Sequence, residues 1–449
     1  MYDFFQGLVT GISKYYLHLF KINWIKVCKC LYFELKQKNK TMKTVKNINK
    51  MLMVLILMLG SAGMYSDIIA SGKGKKSAYE TQYIFPFQEK HVHSSSIVEL
   101  PNGDLLSCWF EGSGERSAND VAIMGARLKK GEKEWSKTFV LADTPGHPDC
   151  NPVLFLNKEG KLFLFWIVVQ ANRWETSVLK YRTSTNFEGE GAPKWDWQDV
   201  ILLKPDDKFA ETIKEKFKEV GRDDLTWAEY APKYEDMIYK AALDQKKRET
   251  GWMTRITPFV LESGRILLPL YSDGYNMSLM AISDDNGETW TPSLPVVGRG
   301  NIQPAIVHKK DGTLVAYMRD NGDTPTRIMV SESTDEGYSW TAVEKTELLN
   351  PGASVDAIML ESGNWLMVYN DLEDGRYSMA VSLSEDEGKT WKYTKHLDKM
   401  PDGEGSFGYP TAIQVKDGMI HITYSYHLKG KKGTIKHVAF TEKWIKSSK

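Results

Sequence analysis

An eight-residue phrase that occurs three times constrains the fold of this 449-residue chain more than any other feature. Each copy reads Ser-x-Asp-x-Gly-x-Thr/Ser-Trp. Successive copies begin about 50 residues apart, a period too long for one unit of a helical solenoid but suited to a sheet of about four strands with its loops. The phrase therefore predicts repeated four-stranded blades. Its copies are Ser283–Trp290, Ser333–Trp340 and Ser384–Trp391.

The residues shared by the three copies indicate an architectural role. Asp and Gly favour a tight turn in which the Asp side chain accepts hydrogen bonds from nearby backbone N–H groups. The Trp is expected to pin this turn to its own blade.

A second pattern gives the number of blades. A polar residue, an apolar quartet, a Gly turn and another apolar strand follow one another six times, which is typical of an inner strand and its hairpin partner. Residues 79–87 also have strand character and should close the ring beside the last blade, because closure protects sheet edges. We predict an all-β, six-bladed β-propeller over residues 78–445. The pattern opens at Ser95, Asn151, Thr257, Gln303, Asp356 and Tyr409.

One stretch interrupts the strand pattern. Residues 205–250 are highly charged, and apolar residues recur there at helical spacing after two aspartates that can cap a helix. We predict a helical insertion between blades two and three, which either walls one side of a pocket or is a surface excursion. The apolar residues are Phe209, Ile213, Phe217 and Val220.

Charge and composition narrow the classes of partner. The 58 basic and 58 acidic residues balance, so overall charge favours neither nucleic acid nor an anionic membrane. We expect a monomer that recognises a glycan. The histidines are scattered, so no metal or cofactor is expected. Cys108 and Cys150 are interpreted as separate buried thiols, with a disulfide as the alternative if the protein is exported.

The N-terminal part has the order of a secretory signal. Lys43, Lys46 and Lys50 precede the apolar run 51–59, and small residues follow it. We interpret residues 42–66 as a signal peptide and residues 1–41 as an upstream extension. The prediction is release into the periplasm or the medium, and the alternative is a membrane anchor.

Candidate functional residues lie where the innermost strands begin, around the axis of the predicted ring. With Tyr409, Arg319, Arg376 and Asp120 at such positions, residues 80–445 resemble the sialidase (neuraminidase) superfamily of six-bladed propellers with Asp-box repeats. The resemblance implies that Tyr409 is the nucleophile, that Arg319 and Arg376 hold the substrate carboxylate, and that Asp120 is the acid/base group. Asp120 is expected to have a raised pKa. For each residue, an ordinary structural role is the alternative.

Two positions depart from the family pattern. His93 stands where the family has an arginine, and Gln303 stands where it has the glutamate that helps to deprotonate the tyrosine. Arg255 is expected to supply the missing positive charge, and His93 or Asp356 a base. The remaining substrate-binding candidate is Arg116, in the first-blade segment that also contains Asp120.

Three functions remain open from the sequence. The first is an exo-glycosidase of exo-alpha-sialidase type that hydrolyses a terminal acidic sugar, since arginines suit a carboxylate and a neutral tyrosine does not repel it. The second is a polysaccharide lyase acting on uronic acids, with His93 or Tyr409 as base. The third is a non-catalytic glycan-binding propeller.

Overall fold

The computed structural model describes residues 78–220 and 233–447. The predicted signal peptide and the upstream extension lie outside the described residues. Within these two ranges, no helix has the length and apolar character needed to cross a membrane.

Six antiparallel sheets form the blades of a propeller, as predicted. Blades one and two contain β2 (His91–Glu99), β3 (Leu105–Gly112), β4 (Ala122–Leu128) and β5 (Phe139–Ala142), then β6 (Asp149–Leu156), β7 (Leu162–Val168), β8 (Val178–Ser184) and β9 (Trp197–Val200). Blade three contains β10 (Met253–Thr254), β11 (Phe259–Val260), β12 (Ile266–Ser272), β13 (Met277–Ser283) and β14 (Thr291–Pro292).

The second half of the chain forms the other three blades. Blades four and five contain β15 (Asn301–His308), β16 (Leu314–Asp320), β17 (Arg327–Ser333) and β18 (Glu344–Leu349), then β19 (Asp356–Met359), β20 (Trp365–Tyr369), β21 (Ser378–Ser384) and β22 (Tyr393–Lys399). Blade six contains β23 (Gly405–Gln414), β24 (Ile420–Leu428), β25 (Lys431–Phe440) and β1 (Tyr79–Tyr83).

The first strand completes the last blade. β1 pairs antiparallel with β25, with Tyr79 opposite Phe440 and Tyr83 opposite Lys436. The segment beginning at Tyr79 therefore closes the ring beside the last blade, and this prediction is confirmed. In blade six, β23 is the innermost strand and β1 is the outermost, and in the other blades the strands follow from the axis outward in chain order.

The Asp boxes form the predicted turns. Asp285 Oδ1 accepts hydrogen bonds from Ser283 Oγ at 2.8 Å and from the Thr289 backbone N–H at 2.9 Å. Ser283 Oγ accepts one from the Gly287 N–H at 2.8 Å. The same set of bonds recurs at the other two boxes, around Asp335 and Asp386.

The tryptophans of the boxes do more than predicted. Trp290 meets Phe165 of blade two edge-on, with ring centroids 5.7 Å apart, and Trp391 meets Tyr317 of blade four at 5.8 Å. The expectation that each ring pins only its own blade was incomplete, because the turn also contacts the preceding blade. Each Asp box therefore joins neighbouring blades.

Helices lie between β9 and β10 of blades two and three. They span Lys208–Lys216, Tyr234–Ala242 and Gln245–Arg248. Phe209 and Ile213 are buried, and the Phe209 ring meets Tyr275 of blade three at 5.3 Å between centroids. The insertion therefore packs on blade three. Short 3-10 helices span Gln170–Asn172 and Trp174–Thr176, and a last α-helix spans Glu442–Lys446.

The two cysteines of the propeller are separate buried thiols, as expected. Cys108 lies on β3 and Cys150 on β6, each within the apolar interior of its blade. Burial raises the pKa of both thiols, so both stay protonated at neutral pH.

Candidate active site

The innermost strands of four blades share a bulge near the axis. In each of these inner strands, the register of pairing with the second strand shifts, and a residue within the shift adopts a left-handed φ between +49° and +60°. A bulge re-aims the side chain that it carries, and a left-handed φ is uncommon for a non-glycine residue. The bulges therefore present one polar side chain per blade at the same level of the ring. These residues are Ser94, Asn151, Gln303 and Tyr409.

Tyr409 lies at the centre of an arginine cluster. Its hydroxyl oxygen accepts a hydrogen bond from Arg319 Nη1 at 3.0 Å and a longer one from Gln303 Nε2 at 3.5 Å. The guanidinium of Arg255 lies 5.0 Å from the centroid of the Tyr409 ring, and that of Arg376 lies 5.7 Å away. The structure thus brings four of the predicted site residues together around the phenol of Tyr409.

Arg255 belongs to the floor of this cluster. Its side chain is 1% exposed, and it donates hydrogen bonds to the Pro410 carbonyl at 2.8 Å and to Thr411 Oγ1 at 3.2 Å. A contact of Arg255 with substrate stays a prediction, and the present contacts of its buried guanidinium are with Pro410, Thr411 and the Tyr409 ring.

Asp356 is not placed to act as a base on Tyr409. Its Oδ2 accepts a hydrogen bond from the Ala412 N–H at 2.8 Å, and its Oδ1 accepts one from the Ala357 N–H at 2.9 Å. Burial raises the pKa of Asp356 to about 6, against the opposing effect of these bonds and of Arg255. Because both oxygens face the backbone of β19 and β23, we assign this carboxyl a structural role.

His93 is the titratable group packed against Tyr409. The two ring centroids are 4.0 Å apart. Burial lowers the pKa of His93 well below its ordinary value, and the positive charges of Arg376 and Arg255 lower it further. The imidazole is therefore neutral at neutral pH.

Arg319 and Arg376 occupy equivalent places in blades four and five. Arg319 lies at the end of β16, and Arg376 lies in the turn between β20 and β21. Each is tethered by one terminal nitrogen, Arg319 to Asn321 Oδ1 at 2.9 Å and Arg376 to the Gly352 carbonyl at 2.8 Å. The tethers hold both guanidinium groups beside the Tyr409 ring.

Asp120 differs from its expected environment. It is exposed, and its oxygens accept hydrogen bonds from the Ser113 N–H at 2.9 Å and from Ser113 Oγ at 2.6 Å. These bonds stabilise the carboxylate and lower the pKa of Asp120. The expectation of a raised pKa was wrong, because the loop folds back on the carboxyl group and leaves it in water.

A second carboxyl group of the same loop faces the cluster. Glu115 Oε2 lies 3.4 Å from His91 Nε2, and the negative charge of Glu115 acts on Arg376 and on His427. Sequence analysis passed over Glu115 because the family pattern drew attention to Asp120. A signal was present, since Glu115 directly precedes the candidate Arg116.

Arg116 fixes this loop to two other blades. Its Nη2 donates to Asp273 Oδ2 of blade three at 2.9 Å, and its guanidinium lies 4.2 Å from the ring centroid of Trp174 in blade two. Asn172 Nδ2 also donates to Asn119 Oδ1 at 2.8 Å. A direct contact of Arg116 with substrate stays a prediction, and its present contacts are with the protein.

Sequence analysis missed a second phenol in the site. Tyr271 on β12 is buried and accepts a hydrogen bond from Asn151 Nδ2 at 2.9 Å. Burial raises the pKa of Tyr271, and the neighbouring Tyr409 and Asp273 raise it further. Asn151 was detectable, because it opens the apolar quartet of blade two just as Gln303 and Tyr409 open theirs. Tyr271 gave no signal within an apolar strand.

Within residues 78–220 and 233–447, no group of three or more His, Cys, Asp or Glu side chains is arranged to hold a metal ion.

Relatives of known activity align with part of this chain. A sialidase of Paraclostridium sordellii is 30% identical over 161 residues, which are 31% of this chain and 39% of that protein. An anhydrosialidase of Macrobdella decora is 27% identical over 187 residues, which are 36% of this chain and 23% of that protein. The aligned parts are therefore less than two thirds of either relative.

Solved structures support the fold. The NanB sialidase of Streptococcus pneumoniae superposes with a TM-score of 0.59 at 14% identity, over 81% of this chain and 71% of that protein. The family described as BNR repeat-like domain matches residues 103–222 and 243–422, more than half of the chain. The chain therefore belongs to the BNR repeat-like family and has the fold of a six-bladed propeller.

Proposed function

We propose that this protein is an exo-glycosidase that hydrolyses a terminal acidic sugar from a glycan. The observation that carries the proposal is the hydrogen bond from Arg319 to the Tyr409 hydroxyl, with Arg376 and Arg255 beside the same ring. Guanidinium groups bind a carboxylate strongly, and a neutral phenol approaches such a sugar without the repulsion that a carboxylate nucleophile would meet. The sialidase and anhydrosialidase relatives support an acidic sugar as substrate.

Tyr409 is the proposed nucleophile. Its oxygen attacks the anomeric carbon, the glycosidic bond breaks, and the leaving oxygen takes a proton from a carboxyl group of the loop 113–120. His93 takes the phenol proton. Water then attacks the same carbon and gives one proton to the loop carboxylate, while Tyr409 leaves and regains its proton from His93. Both side chains return to their starting states.

His93 is the proposed base because the residue at the family's base position is an amide. Gln303 faces the Tyr409 hydroxyl but does not take up a proton at ordinary pH. The neutral imidazole of His93 packs against the Tyr409 ring. The proposed base of this chain therefore lies in blade one, whereas the family's base position, here Gln303, lies in blade four.

The proton donor is one of two carboxyl groups. Asp120 was the prediction from sequence, but it is exposed and bonded to its own loop. Glu115 lies nearer to the charges of the site, since it contacts His91 and acts on Arg376. We propose Glu115 as the donor and Asp120 as the residue that holds the loop closed.

The proposal is tested by measuring release of the terminal sugar from sialosides and from uronosides. The full chain is compared with Arg319→Ala and with Arg265→Ala, a control whose arginine pairs with Asp284 beside an Asp box. We expect Arg319→Ala to lose roughly 100-fold or more in rate, because it removes a charge beside the nucleophile. Equal rates for all three proteins on every substrate would rule the proposal out.

A uronate lyase is a second candidate, favoured by the neutral imidazole of His93 beside Tyr409. In that reaction, His93 removes the proton next to a carboxylate neutralised by Arg319, the bond to the leaving oxygen breaks, and Tyr409 gives that oxygen its proton. The product is an unsaturated uronate that absorbs in the ultraviolet, which hydrolysis does not produce. Acidic polysaccharides assayed by absorbance therefore separate the two.

Two further points complete the proposal. A non-catalytic glycan-binding role would be favoured if Tyr409→Phe bound an acidic glycan as wild type does and neither protein formed product. Export to the periplasm or the medium is proposed from residues 42–66.

A further inference from the structure

The orientation of Arg319 depends on very few contacts. Among the described residues, its guanidinium makes side-chain hydrogen bonds to Tyr409 Oη at 3.0 Å and to Asn321 Oδ1 at 2.9 Å. Its Nε is buried without a partner there. Without Asn321, the guanidinium would be held by Tyr409 alone, the group on which it is proposed to act.

Asn321 is itself held from the neighbouring blade. Its Nδ2 donates to Asn276 Oδ1 at 2.8 Å, and Asn276 Nδ2 donates back to the Asn321 carbonyl at 3.3 Å. The Asn321 N–H donates to the Gly300 carbonyl at 2.7 Å. These paired amides leave Asn321 Oδ1 aimed at Arg319, because its nitrogen is already committed to Asn276.

Asn276 lies in the turn between β12 and β13. Its φ is +53°, a conformation that Asn adopts more readily than most residues. The helical insertion meets this turn at the residue before Asn276, because the hydroxyl group of Tyr234, the first residue of the second helix of the insertion, donates a hydrogen bond to the Tyr275 carbonyl at 3.4 Å. The insertion and Arg319 are therefore linked through the turn Tyr275–Asn276 and the amide of Asn321.

Two more contacts attach the insertion at the same place. Tyr275 Oη donates to the Ala241 carbonyl at 3.1 Å, so both ends of the helix Tyr234–Ala242 touch this turn. Glu235 forms an ion pair with Arg299, which lies just before the inner strand that carries Gln303. The helix thus packs on the turn of blade three that carries Asn276 and on the segment that leads into the inner strand of blade four.

We propose that the helical insertion is a working part of the active site, and that Asn276 and Asn321 are positioning residues that hold Arg319 against Tyr409. The insertion completes the site from outside the blades, with Tyr234 and the Glu235–Arg299 pair fixing the turn that carries Asn276. The effect on rate rests on the proposed function, whereas the placement of Arg319 does not. A loose Arg319 would meet a substrate carboxylate in many orientations and lose the benefit of a fixed charge.

The test uses Asn276→Ala, because Asn276 touches neither Arg319 nor Tyr409 in the contacts given above. Its matched control is Asn286→Ala. Asn286 is another left-handed Asn of blade three, but it lies within the Asp box Ser283–Trp290 and its side chain donates to Glu159. We expect kcat/KM on an acidic glycoside to fall roughly 10-fold in Asn276→Ala and to stay within twofold in Asn286→Ala. In an Arg319→Ala background, Asn276→Ala should cause no further loss, since coupled residues are non-additive.

A second readout needs no substrate. In protein labelled with 15N-arginine, the Arg319 side-chain signals are assigned by their loss in Arg319→Ala. We expect Asn276→Ala to broaden or shift them and Asn286→Ala to leave them unchanged. If no glycoside is cleaved but these signals respond, the proposed activity fails and the positioning role stands. Arg319 signals that are the same in both variants would overturn the positioning role, as would equal, additive losses of kcat/KM.

Discussion

The hydroxyl oxygen of Tyr409 and the guanidinium of Arg319 are joined by a 3.0 Å hydrogen bond between blades six and four. Blade five lies between these two blades along the chain, so the bond joins residues of sheets that do not follow one another directly. Removing the hydroxyl group leaves the ring contact with His93 in place.

Tyr409→Phe should therefore fold normally and lose hydrolysis by roughly 1,000-fold or more, because the attacking atom is gone. Binding of an acidic glycan should be retained. Tyr369→Phe, which removes a buried hydroxyl bonded to Ser382 in blade five, is the matched control and should keep its activity. Full hydrolysis by Tyr409→Phe would show that Tyr409 is not the nucleophile.

His93→Asn should lower kcat, because it removes the proposed base. Adding Gln303→Glu should restore roughly 10-fold of that loss, since a carboxylate at position 303 would face the Tyr409 hydroxyl. The measurement is kcat for the two single variants and the double variant. A double variant no faster than His93→Asn would argue against His93 as the base that replaces a glutamate at position 303.

Glu115→Gln should slow the release of poor leaving groups by roughly 100-fold and have little effect on a nitrophenyl leaving group, because only the former needs protonation. Asp120→Asn keeps an acceptor for the Ser113 N–H, so its effect should be small on both substrates. Parallel kinetics on an alkyl and a nitrophenyl glycoside measure the difference. The opposite ranking of the two variants would return the role of proton donor to Asp120.

Stability should fall as the pH drops below about 6.5, the ordinary pKa of histidine. Burial lowers the pKa of His93 and of His437 well below that value, and the pKa of His427 to about 4, so the unfolded chain binds protons that the folded chain does not. Asp356 has the opposite effect on stability. Its pKa is raised to about 6, so as the pH falls the folded chain binds a proton before the unfolded chain does, which stabilises the fold. Burial also raises the pKa of Asp149, which acts in the same direction as Asp356. The three histidines outweigh these two aspartates.

Thermal unfolding measured between pH 7.5 and 5 tests this balance. The midpoint should fall with pH in wild type and fall more steeply in Asp356→Asn, which lacks the opposing group. A midpoint that is flat or rises toward pH 5 would contradict the assignment of neutral buried histidines.

Gly287→Ala should destabilise the fold by about 2–4 kcal/mol, because a Cβ there adds a clash to a left-handed backbone. The Cβ would lie 2.7 Å from Phe163 of the preceding blade, at φ +94°. Gly264 has almost the same φ, +95°, with no atom within 4 Å of the Cβ position, so Gly264→Ala should cost only about 1 kcal/mol. Denaturant unfolding of both variants isolates the effect of the clash. Equal losses in the free energy of unfolding would contradict a close contact between Gly287 and the preceding blade.

The sequence predicts the ring well because its signals are local. The Asp-box turns depend on bonds within eight residues, and four of the six openings, including those at Gln303 and Tyr409, lie at or next to the bulges. The site is less predictable, because the environment of each residue depends on parts of the chain that are distant in sequence. Arg255 is buried, and its partner Pro410 belongs to another blade. The low pKa of Asp120 arises from Ser113, in a loop whose path no periodic pattern specifies.

The pairing of β1 with β25 has a consequence for how the molecule is made. Blade six cannot form its fourth strand until both the earliest and the latest parts of the propeller exist, because Tyr79 and Phe440 belong to one ladder. During synthesis, the first strand must wait for nearly the entire chain to emerge. Such a long-range ladder makes completion of the ring a late step of folding. A truncation that removed Tyr79–Tyr83 would leave β25 as an unpaired edge of blade six, and with it a surface prone to self-association.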